Sequence, residues 1–85
     1  MLKITPSEDA SGHVHLMLEG SLTGPWVTEL QTLVANAGEP SSPMVLDLGG
    51  LHYIDEEGLS LIRKLRKLGA NIHNASPFVR ALLFD

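Results

Sequence analysis

Apolar and polar positions alternate along this chain in two periods, and each predicts a different element. Met44-Val45-Leu46-Asp47-Leu48 is almost continuously apolar, as expected of a strand covered on both faces or nearly so, and it predicts the middle of a sheet. Over residues 13–19 Val14, Leu16 and Leu18 alternate with His13, His15, Met17 and Glu19, which predicts a strand with one wet face. Leu2-Lys3-Ile4-Thr5 alternates briefly before Pro6, so an edge strand is expected there, with residues 6–12 as a loop and the two strands paired as an antiparallel hairpin.

Helical spacing appears three times. Residues 20–24 read as a loop, Pro25 suits a first helical turn with Thr23 or Gly24 as its cap, and Trp26, Leu30, Leu33 and Ala37, with Val27 and Val34 beside them, form one stripe. That helix is expected to end near Gly38, and the two prolines of residues 38–43 predict a loop. Gly49-Gly50 predicts a turn after the central strand, with Leu51-His52-Tyr53-Ile54 leading into Asp55-Glu56-Glu57-Gly58. Next, Leu61, Ile62, Leu65 and Leu68 form a second stripe that starts at the small Gly58 and stops at Gly69. Residues 70–75 contain a short strand around Ile72, and Ser76-Pro77 opens a last helix with Phe78, Val79, Leu82 and Leu83 on its apolar face. Phe84 exceeds what one stripe needs and is expected at the surface, available for a dimer or partner contact.

The order is ββαβαβα. It predicts an α/β fold in which a small mixed sheet of about four strands carries three helices, mainly on the face opposite His13 and His15, as a single domain over residues 1–85. A chain of 85 residues buries only roughly 60 to 65% of its unfolded surface, so one small core is expected, with little room for an enclosed pocket.

Composition narrows the function classes. A hydrophobic share of 44% with 19% charged residues fits a globular domain and argues against disorder. The net charge of −4 argues against nucleic acid or an anionic membrane as the main partner, and the absence of cysteine removes thiolate catalysis and thiolate zinc sites. No apolar stretch approaches the ~18 residues of a membrane span and the first residues do not resemble a signal peptide, so no membrane insertion and a cytoplasmic location are expected.

The candidate site is the acidic tetrapeptide, which lies where a strand hands over to a helix, the end of an open α/β sheet at which ligands and partners are received. Two readings of Asp55, Glu56 and Glu57 stand side by side. In one they only complement the helix N-terminus, each contributing about 0.3 to 1 kcal/mol, with Asp55 as the cap. In the other they form a binding epitope, with His52 close by and Ser60 and Arg63 on the helix that follows.

Val45-Leu46-Asp47-Leu48, the Gly49-Gly50-Leu51 turn, Tyr53-Ile54-Asp55, Gly58-Leu59 and the closing run from Pro77 to Leu83 resemble the STAS family of anti-sigma factor antagonists and sulphate-transporter domains. Leu18-Glu19-Gly20-Ser21-Leu22 is similar to that family's early strand-to-helix turn. The resemblance implies a non-catalytic protein-interaction module whose partner is an anti-sigma factor, a kinase-like ATPase or a transporter subunit. In antagonists of the family the two residues between the aspartate and the glycine carry hydroxyls, and the second is phosphorylated. Asp55 and Gly58 match, but Glu56 and Glu57 occupy the hydroxyl positions. The resemblance therefore implies that Glu57 stands at the phosphoacceptor position and that the usual switch is missing. Glutamate carries one charge against about −1.5 to −2 for phosphoserine, so it imitates the phosphorylated state only in part. Some members of the family serve instead as small subunits of ABC-type lipid transport complexes.

An enzymatic reading, with Asp55, Glu56 and Glu57 as acid, base or cation ligands, meets two obstacles. A helix N-terminus favours ionised carboxylates, which makes poor proton donors, and the spacing of a dedicated cation loop is absent. His13 and His15 could share a metal, but no third or fourth ligand is apparent. No catalytic residue, metal or cofactor is therefore assigned. Arg63, Lys64, Arg66 and Lys67 read as a solvated basic arc that suits the carboxyl half of the helix, or else as a surface for phosphate or an acidic partner.

Overall fold

A computed structural model describes residues 1–36 and 44–84. The elements are β1 (Leu2–Glu8), β2 (Val14–Leu22), α1 (Pro25–Asn36), β3 (Val45–Ile54), α2 (Glu56–Lys67), β4 (Asn71–His73) and α3 (Pro77–Phe84). They form one sheet in the order β1-β2-β3-β4, with β1 antiparallel to β2 and the later pairs parallel. The four-stranded mixed sheet with three helices, the opening hairpin and the central placement of residues 44–48 are as the sequence predicts.

Three expectations about strands are corrected. β1 does not stop before Pro6 but pairs to its end, with Pro6 opposite Leu16 and Glu8 opposite Val14. Its place at the edge of the sheet explains this, because a proline there removes a donor that no further strand needs. β2 continues through residues 20–22, expected as loop, because Leu22 pairs with Ile54. Gly49-Gly50 makes no turn but lies inside β3, where the β2–β3 register shifts between Met17 and Glu19. A Cβ on Gly50 would come within 2.7 Å of the Glu19 Cγ, so the missing side chain serves close strand approach rather than chain reversal.

The core lies between the helices and the sheet face formed by Leu16, Leu18, Leu46 and Leu48, closed by Leu30, Ile62 and Val79. Here too the outline holds with local corrections. The α1 stripe turns toward Val27 and Leu30, with Trp26 and Val34 partly buried, and Leu33 is left exposed; Ala37 and the loop over 38–43 lie outside the described residues. Leu61, Ile62 and Leu65 of α2 are buried, but Leu68 is 75% exposed, because the helix stops at Lys67 and Leu68 is its C-cap, followed by Gly69 at φ +108. On α3 Val79 and Leu83 reach the core, whereas Phe78 is exposed; Phe84 is exposed as expected. Ser76 caps α3 by accepting from the Val79 N–H at 3.2 Å.

Leu46→Ala is expected to lower the unfolding free energy by about 2 to 5 kcal/mol, and Leu68→Ala to change it by less than ~0.5 kcal/mol. Urea denaturation of the two variants checks this contrast between a core leucine and a leucine at a helix end.

Candidate functional site

The acidic junction is assembled from the carboxyl ends of β2 and β3 and the amino ends of α1 and α2. Asp55 has extended backbone and caps α2, its Oδ1 accepting from the Gly58 N–H at 2.8 Å. Its other oxygen, Oδ2, accepts from the Gly24 N–H at 3.1 Å, immediately before α1. One carboxylate thus closes the first turn of α2 and ties it to the turn that opens α1. The backbone adds a third tie, from the Asp55 N–H to the Leu22 carbonyl at the end of β2 (3.2 Å).

Gly58 is in the register that this packing requires. A Cβ there would lie 2.6 Å from the Leu22 carbonyl oxygen and 2.9 Å from the Ile54 Cγ1, both of which belong to the strand ends beneath the helix. The first turn of α2 therefore sits flush on the sheet with Gly58 buried, while Glu56 and Glu57 stay exposed.

Asp55 alone makes the cap, and Glu56 and Glu57 have no side-chain hydrogen bond or ion pair among the described residues. Ser60 is exposed one turn on from Glu56, on the same side of the helix. His52 is exposed near the end of β3. Arg63 is not brought to the acidic end: its guanidinium donates to the Leu82 carbonyl in the last turn of α3, at 2.6 Å. Sequence reasoning missed Gly24, whose N–H meets Asp55 only after folding, and Tyr53, whose exposed ring lies beside the junction in register with Ser21.

His13 and His15 converge on a group that the sequence reading left aside. Asp9 Oδ2 lies 3.1 Å from His13 Nδ1 and 3.0 Å from His15 Nε2, while Oδ1 accepts from the backbone N–H groups of Ser11 and His13 at 2.9 Å. The His13 N–H, then the His15 side chain, hold the Asp9 carboxyl well below its ordinary value of 3.8. The three side chains clasp the β1–β2 turn, and no group of three or more ligands among the described residues is arranged for a metal ion.

Asp55→Ala is expected to cost about 0.5 to 2 kcal/mol as a lost cap, and Gly58→Ala about 1 to 3 kcal/mol from overpacking. Chemical denaturation checks both. Because the folded Asp9 carboxyl is depressed, its contribution is complete above 3.8, its ordinary value, and is lost as pH falls through the lower folded value. Urea midpoints of the native chain and Asp9→Asn should therefore differ near neutral pH and converge in acid.

No protein-family model matches the sequence, and no curated protein matches it significantly. Solved structures do. The anti-sigma factor antagonist SpoIIAA in its unphosphorylated form superposes with a TM-score of 0.73 at 19% identity, covering 96% of this chain and 78% of that one. A STAS-domain anti-sigma factor antagonist from Rhodobacter sphaeroides gives a TM-score of 0.59 at 18% identity, covering 91% and 94%. With its strand order, its glycine-floored helix start and these neighbours, the chain has the fold of the STAS domain.

Proposed function

We propose that this chain is a non-catalytic protein-interaction module, and that the acidic junction is the surface that receives its partner. The observation that carries this reading is the division of labour among the three carboxylates. Asp55 is consumed by the Gly58 and Gly24 N–H groups, so Glu56 and Glu57 are surplus to the cap and free to meet another molecule. Tyr53 and His52 expose an aromatic and an imidazole at the end of β3, a few residues before them in the chain, and aromatic side chains are enriched at protein interfaces. The partner surface should be basic, and association should weaken with salt. The likeness to two anti-sigma factor antagonists supports a regulatory protein as the partner.

In this reading Glu57 stands where a phosphorylatable hydroxyl would lie, and binding runs without a phosphorylation switch at that position. A fixed carboxylate supplies one negative charge and two acceptor oxygens, held at the positive end of α2. Ser60 remains exposed one turn later but lies outside the matching position.

The immobilised chain is expected to retain a protein partner from the native cytoplasm, identified by mass spectrometry as a kinase-like ATPase or other regulatory protein. Charge reversal in a Glu56→Lys, Glu57→Lys double variant should abolish retention without unfolding the domain. Retention undiminished by that reversal overturns the reading. Incubation with the captured partner and ATP should leave the mass of the native chain unchanged, whereas Glu57→Ser should gain a phosphoryl group.

A further inference from the structure

We propose a second interaction surface, remote from the acidic junction and built by Arg66, Arg80 and Phe84, that takes an acidic peptide segment of a protein partner. Of the six lysines and arginines in the chain, all but Lys3 lie on α2 or α3. A chain of net charge −4 therefore concentrates its positive charge at one end, about 15 Å along α2 from Glu56 at ~1.5 Å per residue.

Side-chain geometry gives that end a specific form. Arg66 places its guanidinium carbon 4.2 Å from the centre of the Phe84 ring, and Arg80 lies 5.9 Å from the same ring. Arg63 donates to the Leu82 carbonyl and so fastens the last turn of α3, with its phenylalanine, to α2. Ion pairs among the described residues are those of Asp9 with His13 and His15, so neither Arg66 nor Arg80 is matched by a carboxylate there. Asp85, next in the chain, lies outside the described residues.

Two guanidinium groups held at one ring, with no carboxylate beside them among the described residues, repel each other, and a bound anion relieves that repulsion. A guanidinium carries its N–H donors in its own plane, so one that lies over a ring retains donors that can grip a carboxylate in bidentate fashion. The same geometry disfavours nucleic acid. Arg66 already lies over the ring, which leaves less of it for a base to stack on, and a long polyanion would be repelled by the net charge of −4. A short run of aspartate or glutamate fits the size of the patch.

The probe is hexaglutamate, titrated into the isotopically labelled chain at low salt and followed by amide chemical shifts. Net charge alone predicts repulsion, so shifts that saturate and are confined to the second half of α2 and to α3 support the proposal. Affinity should fall about tenfold in an Arg66→Gln, Arg80→Gln double variant, and by a smaller factor in Arg66→Lys, Arg80→Lys, which keeps the charge and loses the planar fork. Circular dichroism confirms that both variants fold, and Glu56→Gln, Glu57→Gln should bind the probe at least as well as the native chain. Absence of localised shifts, or equal affinity in the glutamine double variant, overturns the proposal. So does tighter binding of oligothymidylate at the same residues, or a mass that grows with protein concentration and is restored to that of the monomer by the glutamine variant, which would assign the patch to a second copy.

Discussion

The contact on which the rest of this structure depends is the seating of the first turn of α2 on the ends of β2 and β3. Gly58 has no side chain, and the helix uses that space to bring its backbone against the Leu22 carbonyl and the Ile54 side chain. Nothing larger fits without displacing a strand end. Because the helix starts so close to the sheet, the Asp55 carboxylate can span from its own first turn to the Gly24 N–H, and the starts of α1 and α2 are tied together. Glu56 and Glu57 are exposed on the turn that these bonds tie down.

The charges along the same helix do more than complement the macrodipole, because some of them also pack against the last helix. Acidic residues at the first turn and basic residues at the last stabilise α2 by about 0.3 to 1 kcal/mol each. That electrostatic account would be satisfied by freely solvated side chains. Yet Arg63 reaches across to α3, and Arg66 lies on Phe84, so part of the basic end is built into the packing of the last helix. The two ends of α2 are thereby chemically distinct surfaces on a single rigid rod, one offering carboxylates and the other guanidinium groups.

Much of the fold was legible because its determinants are local. Strand and helix periods, Pro25 and Pro77 at helix starts, Asp55 as a cap and Gly69 as a stop are read within a few residues, and each is found where expected. The errors share one cause. Leu33, Leu68 and Phe78 each continue an apolar stripe on a helical wheel, but whether the end of a stripe meets anything depends on where the sheet and the neighbouring helices stop. Likewise Pro6 and Gly49-Gly50 carry the local signature of turns, and strand pairing overrode it.

The sequence by itself determined the order of the elements, the side of β2 that faces the core and the acidic character of the junction, since these follow from side-chain type and spacing. The tertiary structure decided which of three neighbouring carboxylates is spent on the backbone and which two are left over, and that Arg66 and Phe84 meet. The partners in those contacts lie 31 residues away in one case and on a separate helix in the other. No local pattern encodes a hydrogen bond from Gly24 to Asp55. It exists because a parallel sheet brings the carboxyl ends of β2 and β3 side by side and a glycine lets the helix come down on them.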